Sequence, residues 1–171
     1  MGSGASAGAA LPEVVKGASK DEIKAALGAL GAEEKAKLFG AIAAGSFSDK
    51  IGEAQAVIGK DNFLEPKKAK AFLEENKDKV LFLDVQDPDA ESVPGTYRAS
   101  LGTLVFKADA ALADFKDPKI ADLPKDNPIL VTCAIGGQAT LGAGMLVKYG
   151  FKNVKVVEGG CVAWKQEGLD K

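Results

Sequence analysis

Cys133 stands where the apolar run Ile129-Leu130-Val131-Thr132 gives way to Ala134-Ile135-Gly136-Gly137-Gln138-Ala139. A thiol at the end of a buried strand, followed by a glycine-rich turn into a helix, is placed for nucleophilic chemistry. Open parallel sheets bind ligands off the carboxyl ends of their strands, and backbone N–H groups from such a turn converge there on an anion or thiolate. That environment favours the thiolate, which is the reactive form of cysteine. The alternative for Cys133 is a small buried apolar residue with no chemistry. The chain contains no histidine, so a Cys-His dyad is excluded.

The elements that must position this thiol follow from hydrophobic spacing. Ile129–Thr132 is short, apolar and bounded by Pro128, as a strand buried on both faces should be, and Leu141, Met145, Leu146 and Tyr149 then recur at helical spacing. The pattern predicts a helix over 138–149, a strand over 154–157 and a last helix over 161–167. Upstream it predicts strands over 62–64, 80–85 and 98–101. It also predicts a helix over 67–76, with Pro66 in its first turn, and a short helix over 108–115. Strands alternating with helices argue a parallel α/β sheet covered on both faces.

Gly150-Phe151-Lys152-Asn153-Val154, Glu158-Gly159-Gly160 and Ala163-Trp164 follow the cysteine loop at close spacing, and Asp84-Val85-Gln86-Asp87-Pro88 ends the strand upstream. In this order of strand, six-residue cysteine loop, helix, G-[FY]-x-N-V strand and G-G-x-x-A-W helix start, the chain resembles the rhodanese family over roughly residues 61–168. The resemblance implies the rhodanese fold, a five-stranded parallel sheet with helices on both faces. It implies further that Cys133 attacks the outer sulfur of a thiosulfate-like donor, becomes a persulfide and passes that sulfur to a thiol or cyanide. Ala134, Ile135, Gly136, Gly137, Gln138 and Ala139 would form the loop around that sulfur, with no cofactor and no metal. Asp84 is expected near the loop, and Arg98 and Lys107 beside the pocket.

The chain departs from the family pattern at two positions. Gln138 stands where the loop usually carries arginine, and Gln86 replaces the arginine usual after Asp-Val. Glutamine donates hydrogen bonds but has no charge, so the loop lacks an electrostatic contribution to thiolate formation and anion binding. Arg98 or Lys107 is a candidate to replace that charge, against the alternative of a solvated surface cation. The related phosphatases need cysteine, five residues and arginine, but no arginine follows Cys133. Cys161 reads as packing, with a resolving thiol as the alternative, and Trp164 reads as core.

Residues 1–18 read as a flexible segment and 19–60 as a helical extension ahead of a 61–171 domain. Ser19-Lys20-Asp21-Glu22 is a capping-box pattern, Ile23, Leu27 and Leu30 share one face, and 32–44 forms a second amphipathic segment. Ile51, Ala54, Val57 and Ile58 suggest a further turn or two of helix. The hairpin either packs on the domain or meets a protein partner. The N-terminus matches the N-myristoylation pattern at Gly2 and Ser6, although a linker reads the same way. One acyl chain gives only reversible membrane association.

The 22 basic and 24 acidic residues are interspersed, with a formal net charge of −2, which argues against nucleic acid. Two cysteines make no disulfide framework, and a cytoplasmic, reducing setting is expected. Two functions fit these residues: a sulfurtransferase with a small-molecule or protein donor and a thiol acceptor, or a rhodanese-like binding or scaffold module of weak or no turnover. The cysteine and both loop glycines favour the first. Gln138, Gln86 and the extra helices favour the second.

Overall fold

The computed structural model describes residues 19–43 and 45–170. The Gly2 acylation pattern lies outside them. The chain divides into two compact units, Met1–Gly45 and Ser46–Lys171. In the first, α1 (Lys20–Ala29) and α2 (Ala32–Ala43) are joined at Gly31. The predicted capping box is formed: Ser19 Oγ accepts from the Glu22 N–H at 3.3 Å, and the Glu22 carboxylate accepts from the Ser19 N–H at 2.7 Å. Those bonds hold the Glu22 carboxyl below its ordinary pKa. No α1 residue is buried.

The second unit is an α/β layer structure. Its elements are α3 (Phe47–Ile58), a 3-10 turn (Lys60–Asn62), β1 (Phe63–Leu64), α4 (Pro66–Glu75), β2 (Leu81–Asp84), β3 (Tyr97–Arg98), α5 (Leu101–Lys107), α6 (Pro118–Ala121), β4 (Ile129–Thr132), α7 (Gly137–Lys148), β5 (Val154–Val157) and α8 (Gly160–Gln166). The five strands are all parallel, in the order β1-β5-β4-β2-β3. Central β4 is buried along its whole length, which explains its apolar composition. Its register against β2 places Asp84 opposite Thr132, so both strands end level and Val85 and Cys133 leave the sheet side by side.

Strand alternation sorts the core into two faces. Leu83, Val85, Ile129, Val131, Cys133 and Val156 pack with Leu104, Ala139, Ala143 and Leu146. On the other face Phe82, Leu130 and Val157 pack with Ala69, Cys161 and Trp164. Phe82 and Trp164 rings lie 5.8 Å apart, a tilted pair that fills the space under α8.

Three parts of the chain differ from the sequence expectation. The strand expected over 98–101 is Tyr97–Arg98, and Leu101 already opens α5. The predicted helix over 108–115 is absent, and the helical turns are α5 and α6 on either side of it. Leu104 and Ala108 bury against α7, whereas Leu112 and Phe115 remain exposed, so burial of Leu104 overrides the helix propensity of the alanine-rich stretch. Residues 47–58, which the sequence grouped with the extension, form a full helix inside the second unit. Ser46 caps it, accepting from the Asp49 N–H at 3.2 Å.

Helix α3 crosses α7 closely because both present small residues. A Cβ added to Gly144 would lie 2.9 Å from the Ala54 Cβ and 3.2 Å from its Cα. Gly144→Val should therefore overpack the crossing and cost about 1–3 kcal/mol of unfolding free energy, measured by urea titration.

Candidate active site

The loop after β4 curls around its own cysteine. Cys133 is 1% exposed, and its Sγ accepts from the Gly136 N–H at 3.1 Å and the Ala139 N–H at 3.2 Å. The curl needs Gly136 at φ +102°, a conformation that an L side chain rarely adopts. Gly137 opens α7, and Thr140 Oγ1 donates to the Gly136 carbonyl at 2.9 Å, fixing the turn from inside the helix. Two amide dipoles aimed at one sulfur, at the start of a three-turn helix, stabilise negative charge there.

Helix α8 holds the loop from beneath. The Cys161 N–H donates to the Cys133 carbonyl at 2.8 Å and the Val162 N–H to the Ala134 carbonyl at 3.1 Å. Gly159 and Gly160, at φ +66° and +59°, allow this approach. Ile135, at the tip of the loop, is 73% exposed. Gln138 is half-buried in the first turn of α7, beside the Ala139 amide that reaches the sulfur.

Asp84 and Arg98 gather into a separate polar network on the opposite face of the sheet, without Lys107. Asp84 is fully buried and accepts from the Gln86 N–H at 2.9 Å, the Gln86 side chain at 3.2 Å, the Ser92 hydroxyl and the Arg98 guanidinium at 3.2 Å. Arg98 also donates to the carbonyls of Asp87, Pro88 and Ala90, so its charge folds the 87–90 turn around Asp84. This is a committed cation, with both terminal nitrogens of the guanidinium donating. Lys107 faces away, toward Asp117 at 3.9 Å. The same carboxylate accepts from the Tyr97 hydroxyl at 2.6 Å and pushes that phenol's pKa up. Neither cation is bonded to the cysteine loop.

Cys161 belongs to this second network. Its Sγ is 3.5 Å from Gln86 Nε2 and 3.7 Å from Thr132 Oγ1, and the residue is 4% exposed. Burial pushes the thiol pKa up, and the Asp84 charge adds to the rise. Cys133 and Cys161 belong to different core clusters. Cys161 should stay unlabelled when the folded protein is treated with iodoacetamide at pH 8, and label fully in urea, as read by peptide mass spectrometry.

One wall of the site was not legible in the sequence. Phe47, at the first turn of α3, lies so close that a Cβ on Gly137 would meet its ring at 3.2 Å. With Ile51, Gln55, Phe63, Ile135, Thr140 and Glu158 it lines an open cavity of about 400 Å³ beside the loop. The Ile51-Ala54-Ile58 spacing signalled a helix here, but nothing in it signalled that the helix N-terminus would meet the glycine turn.

The model of the rhodanese-like domain matches residues 65–167. A polysulfide-sulfur transferase homodimer from Wolinella succinogenes is 30% identical, with a TM-score of 0.51, over 71% of this chain and 83% of that one. A Rhodopseudomonas palustris protein of unknown function, described as a possible tyrosine phosphatase, superposes with a TM-score of 0.63 at 26% identity, over 73% of this chain and 92% of that chain. A tRNA uridine(34) hydroxylase from Corynebacterium jeikeium is 25% identical over 70% of this chain. The chain spans only 38% of that hydroxylase's length.

Proposed function

Because the chain belongs to the rhodanese-like domain family, we propose that it transfers sulfane sulfur through a persulfide on Cys133. The observation that carries this reading is the pair of amide N–H groups, from Gly136 and Ala139, on one buried sulfur. In the first half-reaction the Cys133 thiolate attacks the outer sulfur of a persulfide or polysulfide donor. A Cys133 S–S bond forms, the donor's own S–S bond breaks, and the bonding pair leaves on the donor as a thiolate. In the second, an acceptor thiolate attacks the outer sulfur, and its new S–S bond replaces the one to Cys133, which is released as thiolate. Electrons balance within the pair of exchanges, so no external oxidant or metal is required.

The amide cradle supports both steps, since it stabilises the thiolate before attack and again as leaving group, with no reorganisation between them. A polysulfide or organic persulfide suits the loop better than thiosulfate does. Thiosulfate brings a sulfonate whose three acceptor oxygens call for charge-assisted donors, and Gln138 meets them with a neutral amide, whereas a sulfur chain carries no such oxygens. The similarity to the polysulfide-sulfur transferase favours the same donor class. A phosphatase reaction is disfavoured by the absence of any arginine after Cys133. RNA hydroxylation is disfavoured by the interspersed charge and the partial match to those relatives.

The second reading, a binding module of little turnover, is favoured by the commitment of Arg98 to the 87–90 turn, which leaves the loop without its charge. Steady-state transfer to cyanide separates the two, with inorganic polysulfide and thiosulfate compared as donors. Turnover with polysulfide well above that with thiosulfate is the expected result. No turnover with either donor would favour the module. We propose also that the α1–α2 hairpin serves a protein partner and that acylation at Gly2 gives reversible membrane contact. Gly2→Ala expressed beside an N-myristoyltransferase tests the second point, since a free Gly2 amine on the unsubstituted chain would refute it.

A further inference from the structure

Helix α3 gives the cysteine loop a neighbour that a five-stranded sheet alone would not supply. The 400 Å³ cavity between them is bounded by apolar groups on several sides: Phe47 and Ile51 from α3, Phe63 from β1 and Ile135 from the loop tip. Phe47 and Ile135 are 65% and 73% exposed, so two large apolar side chains stand in water on either rim of one opening. Isolated exposed apolar residues need no explanation, but a pair that frames a cavity at a nucleophile's loop does.

The charge in that lining has one sign. Among the residues that line the cavity, Glu158 is the only ionised one, and no lysine or arginine is present. Glu158 leaves the carboxyl end of β5, its N–H donating to the Leu64 carbonyl at 2.9 Å, so the sheet fixes its backbone while its side chain is exposed. Gly136 lines the same cavity and donates its N–H to Cys133 Sγ. Cys133 itself is 1% exposed and outside that lining, so Gly136 stands between the cavity and the sulfur. A second cavity of about 560 Å³ shares Gln55, Phe63 and Glu158 and runs along Gly52, Ala56 and Gly59 to Lys60, so the cation of this region lines the second cavity and not the one at the loop.

Resting on the sulfur-transfer reading above, we propose that this cavity selects the acceptor, and that the acceptor is an organic thiol with an apolar body and no negative charge. Its body lies between Phe47 and Ile135 and its thiol reaches past Gly136 to the Cys133 persulfide. Apolar contact supplies the affinity, and Glu158 supplies the discrimination by repelling a carboxylate. Attack follows the balanced exchange already given, the acceptor leaving as its persulfide.

The test uses two probes of one shape, phenylmethanethiol and its para-carboxylate, whose thiols differ little in intrinsic reactivity. Binding is read on full-length Cys133→Ser protein by saturation-transfer NMR, which needs no turnover, and transfer is read on the unsubstituted protein loaded with polysulfide. The neutral probe should bind at least about tenfold tighter than the carboxylate and show the same preference in kcat/KM. Phe47→Ala should weaken the neutral probe about tenfold. Glu158→Lys, a change at an exposed position that leaves the core intact, should reverse the preference. Equal binding of both probes, or a preference that survives Glu158→Lys, would overturn the proposal. Binding with the expected preference but no transfer would leave the cavity's selectivity standing and refute the sulfur-transfer reading instead.

Discussion

Gly160→Ala should cost about 3 kcal/mol or more of stability and abolish the Cys133 cradle. At φ +59° an alanine already carries backbone strain, and its Cβ would fall inside the Cys133 carbonyl oxygen's envelope and 2.7 Å from the Ala134 carbonyl oxygen. Neither atom can retreat cheaply, because both carbonyls accept from the first turn of α8. The clash must move either the loop or the helix, and both positions are needed to keep Gly136 and Ala139 on the sulfur. Gly168→Ala is the control: its φ is +66°, but nothing lies within 4 Å of the added Cβ, so it carries the left-handed strain alone, about 1–2 kcal/mol. Urea unfolding gives the stability difference, and the rate of Cys133 alkylation reports the cradle. Equal losses in the two variants would mean that α8 does not brace the loop.

Gln138→Arg should raise kcat/KM for thiosulfate about ten- to a hundredfold, mainly through KM, which is the range that one charge-assisted hydrogen bond spans. The side chain sits in the first turn of α7, one residue before the Ala139 amide, and among the described residues no lysine or arginine is bonded to the loop to duplicate the new charge. An unchanged thiosulfate KM would show that position 138 does not face the donor.

Most of the sheet was legible because buried parallel strands have a local signature. Ile129–Val131 is a continuous apolar run and Val154–Val157 is one broken only by Lys155, both between turn residues, and Cys133 closely follows the first of them. The loop's curl was legible for a similar reason, since Gly136 supplies the positive φ that the turn demands. What failed was decided by distant partners. Arg98 reads as a free cation until Asp84 and three carbonyls are found around it, and Gln86 reads as a loop residue until its amide is seen on Asp84 and Cys161. The 108–115 stretch has helix-forming residues but no buried stripe, and the turn of helix moved to where Leu104 could reach the core. Helix α3 was underestimated because its contact with Gly144 depends on small residues, Ala54 among them, which carry little hydrophobic signal.

The most direct measurement is the intact mass of the full chain after brief exposure to inorganic polysulfide and removal of excess, followed by peptide mapping. The expected result is a gain of one sulfur atom that maps to Cys133, is absent in Cys133→Ser, persists in Cys161→Ser and disappears when cyanide is added. A protein that gains no sulfur from polysulfide or from an organic persulfide, or that carries it on Cys161, would contradict the account.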